Sequence, residues 1–394
     1  MRILILSNVT FHMRGGVPTE ARELAGGLRS SGHEVAICGD VPILGERGVA
    51  HFALSLESAR QLQASVSAAL ASFRPDLVHV MAMSSPGMRA LRPVLEGRPW
   101  VLTCHSVPPY ERKLAAWHGS ERLHYAARNL RFLPHSLAWR FLFTARRVPH
   151  VIVHSAWVGD IVRRHGCPAS GIRSIPLGAD VDAAPVREAP ATAPAPDAPR
   201  LVTVGGIAHT KGLHDAVRAV QALRSGFPGL SYRIIGEVRD ASYLAHLESL
   251  ISRAGLSRHV GIETDLDEAA KQAALQSADL YLQPSHEEGF CLAYIEAASR
   301  VPRLVGTDTG AIRLVSEGDA AMSVVPPQRP EVLASAIEAL LRQPLPDGLM
   351  SMRAKRLQRD FSWRRYLDEH ERLYGELVGA PVEAELATGL KDAA

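Results

Sequence analysis

Two stretches of this 394-residue chain open in the same way, and that repetition restricts the fold more than any other feature. Arg2–Ser7 is a short apolar run. It is followed by Gly15-Gly16 and a helical stretch from about Pro18 to Ser30. Arg200–Val204 is a second such run, followed by Gly205-Gly206 and a helical stretch from about Leu213 to Arg224. Short, continuously apolar strands are those buried on both faces, as in a parallel sheet. Strands at Glu34–Cys38, Asp76–Met81, Trp100–Cys104, Val151–Val153 and Arg173–Ile175 continue the first pattern. Tyr232–Gly236, Asp279–Gln283 and Arg303–Val305 continue the second, with helices at Tyr243–Ala254 and Cys291–Ser299 between them. Strands alternating with helices predict two doubly wound α/β units, although no residue-level repeat relates them.

The pattern is interrupted at Ala183–Pro199, AAPVREAPATAPAPDAP. Such a composition buries little, and its prolines favour extended geometry, so it reads as a linker or loop. The expected layout is an N-terminal unit at 1–182, this linker at 183–199, a second unit at 200–361, a C-terminal helix at 362–379 and a tail at 380–394. The helical reading rests on Asp360 to Leu377, with Trp363, Tyr366, Leu367, Leu373 and Tyr374 apolar.

Composition removes several classes of function. Apolar residues make up 46% and charged residues 22%, values of an ordinary globular chain. A net charge of +3 gives no global field for nucleic acid, and only five of the 44 basic residues are Lys. Cys38, Cys104, Cys167 and Cys291 are widely spaced, which fits reduced thiols in a cytosol. The four-residue apolar run Ile3–Leu6 is too short for a signal peptide, and no apolar stretch approaches the ~18 residues of a membrane span. A cytoplasmic protein is expected.

The segment Pro284-Ser285-His286-Glu287-Glu288-Gly289-Phe290-Cys291-Leu292-Ala293-Tyr294-Ile295-Glu296-Ala297 carries the most chemistry. A strand ends, the chain turns through Ser and Gly, and a helix starts near Cys291. Unpaired N–H groups at such a start suit an anion. Glu288 stands before the helix and Glu296 eight residues on, so the two carboxylates could hold different hydroxyls of one extended ligand. A helix-dipole Glu and an ordinary helix Glu account for them equally well. The segment resembles the E-x7-E signature of the retaining GT-B glycosyltransferases of family 4, the glycogen-synthase-like and mannosyltransferase-like group. Only Cys291 departs from the fixed positions, standing where the family has a second Gly. The resemblance implies that Glu288 contacts the transferred sugar, that Glu296 binds the ribose hydroxyls, and that the backbone of Gly289, Phe290, Cys291 and Leu292 touches sugar and phosphate.

Thr203-Val204-Gly205-Gly206-Ile207-Ala208-His209-Thr210-Lys211-Gly212 places a lysine between a glycine turn and a helix, where an ammonium can meet a diphosphate. It resembles the family element V-G-R-x-x-x-x-K-G. Lys211 matches, but Gly206 replaces the Arg, removing a contact worth about 1.5–3 kcal/mol. Arg303, Arg313 and His209 are candidates to compensate. Gly15 and Gly16 let backbone approach a ligand at the mouth of the first strand, and they resemble the family's N-terminal glycine loop beside the donor phosphates. His105 directly follows a strand, at the carboxyl end that faces a ligand crevice. Thr103-Cys104-His105-Ser106 resembles the family's T-x-H-D, whose His lies near the reacting sugar. Leu314 stands where the family usually has Glu.

Asp180-Val181-Asp182 and Asp265-Leu266-Asp267 spell D-x-D, but neither context suits a metal, and no cluster has zinc spacing. Residues 112–150 hold eight Arg or Lys, one acid and six aromatics: Trp117, Tyr125, Phe132, Trp139, Phe141 and Phe143. That composition suits weak contact with anionic lipid headgroups. It also suits aromatics packed inward beneath solvated arginines.

The expectation is an α/β GT-B protein, two Rossmann-like domains with an interdomain cleft. It would move a sugar from a nucleotide-diphosphate sugar, with UDP or GDP as the nucleotide, to a small-molecule, glycan or lipid-linked acceptor, with retention. Glu288, Lys211 and His105 would be catalytic, and no metal or other cofactor is implied. The alternatives are a non-catalytic nucleotide-sugar binder or scaffold, or another GT-B enzyme such as an epimerase or phosphorylase.

Overall fold

The computed structural model describes residues 1–7, 15–39, 49–105, 133–145, 148–181 and 198–379. The linker reading at 183–199, apart from its last two residues, lies outside them. So do the tail at 380–394 and most of the basic-aromatic segment. The chain divides into two compact units: Met1–Gly178 with Trp363–Ala394, and Ala179–Ser362.

The first unit carries β1 (Arg2–Ser7), α1 (Gly16–Ser30), β2 (Glu34–Gly39), β3 (Ala50–Ala53), α2 (Ala59–Phe73), β4 (Leu77–Ala82), α3 (Ser85–Leu95) and β5 (Trp100–Thr103). A helix at 133–144, α4, precedes β6 (Val151–Val153), α5 (Ala156–Arg164) and β7 (Ile172–Ser174). The strands form one sheet in the order β3-β2-β1-β4-β5-β6-β7, parallel throughout.

The second unit carries β8 (Arg200–Val204), α6 (Leu213–Leu223), β9 (Ser231–Ile235), α7 (Ala241–Arg253), β10 (Val260–Glu263), α8 (Glu268–Ser277), β11 (Leu280–Gln283) and α9 (Leu292–Ala298). It continues through β12 (Arg303–Thr307), α10 (Ile312–Ser316), β13 (Met322–Val325), α11 (Pro330–Arg342) and α12 (Leu349–Phe361). Its parallel sheet runs β10-β9-β8-β11-β12-β13. Each sheet starts in the middle, builds outward to one side, then crosses to the other. The switch points lie between β1 and β4 and between β8 and β11, where α/β sheets hold their ligands.

The sequence pattern misses β3, β10 and β13. All three are edge strands, and an edge strand lacks the both-face apolar signal; β3 has no buried residue. The helix read from Asp360 to Leu377 is in fact two. Ser362 is extended (φ −73°, ψ 150°) and ends α12, and α13 (Trp363–Gly379) begins at the next residue and belongs to the first unit, against α1. Buried aliphatic cores lie under each sheet, one built around Leu4, Leu6, Val78, Val80 and Leu102, the other around Leu201, Ile234, Leu280, Leu282 and Val305.

Candidate functional site

β8 and β11 are sheet neighbours, so the loops leaving their carboxyl ends run side by side at the second unit's switch point. Gly212 makes this approach feasible. Its backbone is left-handed (φ 61°), and a Cβ there would collide with the Pro284 carbonyl and the His286 ring. The amides of His286 and Glu287 donate to the Thr210 carbonyl at 2.8 and 3.3 Å, stitching one loop to the other. The result is an ion pair between residues 77 apart in sequence: Lys211 Nζ lies 2.8 Å from Glu288 Oε1 and 3.0 Å from Oε2.

Glu288 is almost wholly buried, and its carboxylate also accepts from Ser285 Oγ at 2.6 Å and Gln283 Nε2 at 3.1 Å. Burial alone would pull the Lys211 ammonium toward neutrality; the neighbouring Glu288 carboxylate outweighs it and holds its pKa above the usual lysine value. The pair is therefore ionised and, taken together, carries no net charge. An arriving diphosphate meets a positioned ammonium that already has one counterion.

The loop after Glu288 is held from behind. Gly310 is left-handed (φ 57°), and a Cβ there would sit 2.7 Å from Glu288 Cβ and 2.8 Å from the Phe290 carbonyl oxygen. That carbonyl accepts from the Ala311 amide at 2.9 Å, and Phe290 itself is buried against Phe361. Cys291 adopts φ 86°, ψ 67° at the N-terminal boundary of α9. A left-handed backbone costs a non-glycine residue roughly 1–2 kcal/mol. The glycine that Cys291 replaces would be unstrained here, so this departure from the signature leaves strain beside Glu288. Burial pushes the Cys291 thiol well above its usual pKa, and Glu288 adds to the effect. The thiol is neutral. The helix expected from Cys291 starts at Leu292.

Glu296 lies inside α9, half-buried. Burial raises its carboxyl pKa, with Lys271 and Arg300 pulling the other way. Among the described residues no side chain hydrogen-bonds that carboxylate; Arg300 and Ser299 bind its backbone carbonyl instead.

Gly206 has no side chain, and the space beside it is filled from another loop. A Cβ on Gly206 would lie 3.0 Å from Arg239 Cγ. The Ile207 amide donates to Glu237 O at 2.8 Å and the Arg239 amide to Ile207 O at 3.1 Å, which fixes the two loops together. The Arg239 guanidinium is half-exposed and pairs with Glu237 at 2.7 Å. Arg303 cannot take the missing role. It stands at the start of β12, the opposite end of the strand from the switch point. Its buried guanidinium donates to Leu340 O at 2.7 Å and Gln343 O at 3.0 Å. Arg313 is exposed and paired with Asp308. His209 sits beside His214, ring centroids 5.0 Å apart. Leu314 is exposed.

In the first unit, Gly15 is the residue before α1 and Gly16 its first residue; 8–14 lie outside the described residues. His105 follows β5 as expected, and it meets a partner the motifs do not name. Its Nε2 lies 2.5 Å from Oε2 of Glu20, a wholly buried acid on α1. Glu20 Oε1 accepts from Tyr366 Oη at 2.7 Å and pairs with His154 Nε2 at 3.1 Å. Beneath them, His79 bonds Tyr374 Oη (2.5 Å) and Thr103 Oγ1 (2.6 Å), and its ring stacks on His370. Two signals for this cluster are present in the sequence. Glu20 interrupts the apolar stripe Leu24, Ala25, Leu28 on the buried face of α1, and His154 ends the apolar run Val151–Val153.

Among the described residues, two groups have a metal-type donor set: Glu20/His105/His154 and His214/Asp215/His286. In both, the carboxylate is already taken by the protein. Asp215 accepts from His286 Nε2 at 2.7 Å and Arg218 Nη1 at 3.3 Å. Of the D-x-D stretches, Asp267 caps α8 through the Ala270 amide at 2.7 Å, and Asp182 lies outside the described residues. In the basic-aromatic segment, Trp139 and Phe143 are buried in the core and Phe141 is exposed. No described helix is long and apolar enough to cross a membrane.

Two Rossmann-like parallel sheets, with paired charges at a switch point, define the class of GT-B sugar-transferring enzymes. The comparisons agree with this. The model of the "Glycosyl transferases group 1" family matches residues 187–358, and that of "Glycosyltransferase Family 4" matches 14–183. A phosphatidyl-myo-inositol mannosyltransferase of Mycolicibacterium smegmatis is 24% identical over 98% of this chain and 97% of its own length. A glycogen synthase of Mycobacterium tuberculosis is 32% identical over 44% of this chain and 41% of its own. Among solved structures, sucrose-phosphate synthase from Thermosynechococcus elongatus superposes with a TM-score of 0.74 at 19% identity, over 97% of this chain and 100% of that one. Anabaena HepE in complex with UDP-glucose superposes with a TM-score of 0.71 at 17% identity, over 95% and 100%. The chain belongs to the group 1, family 4 glycosyltransferases and is a nucleotide-sugar-dependent hexosyltransferase.

Proposed function

We propose that the second unit holds a nucleoside-diphosphate sugar, UDP- or GDP-linked, and that the sugar passes to an acceptor hydroxyl with retention of its anomeric configuration. The observation that carries this reading is the Lys211–Glu288 ion pair at the β8/β11 switch point, with the unmated Glu296 carboxylate eight residues beyond. Lys211 faces the leaving diphosphate. Glu288, held by Lys211, Ser285 and Gln283, orients the sugar. Glu296 takes the ribose hydroxyls, which restore the hydrogen bonds that burial removed. Because Lys211 is already paired, the phosphate charge needs more donors; on this reading the half-exposed Arg239 guanidinium beside Gly206 exchanges its Glu237 partner for the phosphate. Stabilising the departing diphosphate with protein cations and amides does the electrostatic work of the reaction. On this reading a metal chelator leaves the rate unchanged.

His105 is the ligand-facing residue of the first unit on this reading. Two relatives are named for inositol substrates, a phosphatidyl-myo-inositol mannosyltransferase and a D-inositol 3-phosphate glycosyltransferase. Phosphatidylinositol vesicles and inositol phosphate are therefore the first acceptors to screen. An inositol lipid substrate would bring a cytoplasmic enzyme to a membrane surface.

The test is calorimetry with UDP and GDP, followed by turnover of labelled donor. Lys211→Ala and Glu288→Ala should each lower kcat/KM at least tenfold while the far-ultraviolet spectrum stays native. The anomeric proton coupling of the product should match that of the donor. Full activity in either variant, or an inverted product, overturns the proposal. Nucleotide binding with no turnover on any acceptor would support a binding protein instead.

A further inference from the structure

The cluster around Glu20 has a proton arrangement that its partners dictate. Burial alone would raise the Glu20 carboxyl pKa, but His154 and then His105 outweigh it and hold it well below the usual value. Glu20 is therefore a carboxylate, which only accepts hydrogen bonds. His154 has Nδ1 at 2.8 Å from the Ile175 carbonyl oxygen and Nε2 at 3.1 Å from Glu20 Oε1. Both its nitrogens face atoms that only accept, so His154 is an imidazolium; its pKa is raised accordingly, Glu20 outweighing burial. Glu20 and His154 thus balance each other's charge in a dry setting, and Tyr366, brought in by α13, satisfies the rest of Oε1.

That leaves Oε2, which His105 Nε2 approaches to 2.5 Å. A nitrogen this close to an ionised, acceptor-only oxygen must carry the proton. We propose that Glu20 is a positioning residue that fixes the ring of His105 with its proton on Nε2, so that Nδ1 is the atom offered to ligand. With a single proton, on Nε2, the ring leaves Nδ1 as an acceptor, suited to a ligand hydroxyl. Three features support that orientation. His105 is the partly exposed member of the cluster. No described residue hydrogen-bonds its Nδ1. The His154 ring, 5.3 Å away between centroids, limits how the imidazole can turn. A carboxylate that sets the tautomer of a working histidine is a recurrent device, and here it comes from the first helix rather than from the residue after the histidine.

The proposal rests on the reading of His105 as a ligand-facing residue, but its test does not need turnover. The full-length protein is labelled with ¹⁵N-histidine, and the long-range proton–nitrogen spectrum is recorded without substrate, with His105→Asn identifying the signal. His105 should show the Nε2-protonated pattern, and His154 the pattern of a doubly protonated ring. In Glu20→Gln, whose amide can also donate, the His105 pattern should become mixed. The kcat should fall at least tenfold, with donor KM within about threefold. A His105 protonated on Nδ1 in the wild type overturns the proposal whether or not Glu20→Gln folds. So does a folded Glu20→Gln with an unchanged His105 spectrum and kcat. A correct spectrum in a protein that transfers no sugar would instead overturn the functional reading and leave the tautomer assignment standing.

Discussion

The two sheets share a strand order and gather ionisable side chains at the carboxyl ends of their strands, yet they treat charge in opposite ways. In the second unit, Lys211 is partly open above a buried Glu288, and no described side chain hydrogen-bonds the Glu296 carboxylate. In the first, Glu20 is sealed and receives three donors, one of them from a helix 346 residues away in sequence. A carboxylate kept unmated is available to a ligand; one that is fully mated can only shape its neighbours. The contrast separates a binding site from a positioning device, and substitutions should respond accordingly.

The largest effect belongs to the sealed side. Glu20→Ala leaves the His154 imidazolium buried with no counterion, and breaking one partner of a buried pair costs about 3–5 kcal/mol. Urea unfolding of the first unit's transition should show a loss of that order, whereas Lys211→Ala should cost well under half as much. Equal losses would mean that the two clusters are not different in kind.

Acid should find the sealed side next. Burial holds the His79 and His370 rings neutral, His370 with its pKa lowered from 6.5 to about 4. A histidine depressed in the folded state stabilises above its unfolded value, and that stability is lost as pH falls from 6.5 toward 4. For His370 the difference corresponds to roughly 3 kcal/mol. Glu20, depressed as an acid, adds a further loss below about 4.5. His154 is raised, so its contribution is complete below 6.5 and fades only as pH rises above it. The melting temperature should therefore fall steeply between pH 6.5 and 4, and His370→Phe should flatten that fall. A slope unchanged in the variant would refute a neutral buried His370.

This contrast also explains what could be read from the chain beforehand. Lys211, Glu288 and Glu296 sit in or beside short loops whose glycines and spacing are local, so the sequence displays them. The central strands followed from apolar runs, and only the edge strands β3, β10 and β13 escaped. The Glu20 cluster draws on α1, β5, β6 and α13, and no local pattern links Glu20 to His105, His154 and Tyr366. Arg239 was missed for the same reason: it comes to Gly206 from the loop after β9.

On the open side, Arg239 should behave as a replaceable cation. A charge-assisted hydrogen bond is worth about 1.5–3 kcal/mol, so Arg239→Ala should raise donor KM roughly tenfold or more. Adding Gly206→Arg to that variant places a guanidinium on the neighbouring loop, in space the Arg239 side chain has vacated. Steady-state kinetics should then show most of the donor affinity restored. An Arg239→Ala enzyme with wild-type donor KM would exclude it from the phosphate site.

The smallest effect is the most diagnostic of an unmated group. Burial raises the Glu296 pKa, so the folded chain holds its proton more tightly than the unfolded one. The stability linked to this residue is complete below about pH 4.5 and is lost as pH rises through the folded value. At pH 7 the ionised carboxylate is a liability the fold tolerates. Glu296→Gln keeps the shape and removes the charge, so it should stabilise the protein by about 1 kcal/mol at pH 7 while weakening nucleotide binding. At pH 4 the acid is protonated in both states and the gain should vanish. Thermal melts of the two proteins at both pH values, with UDP and GDP titrations at pH 7, decide it. A variant that is less stable at pH 7 would mean that Glu296 has a partner in the protein, and then it would not be the carboxylate reserved for a ligand.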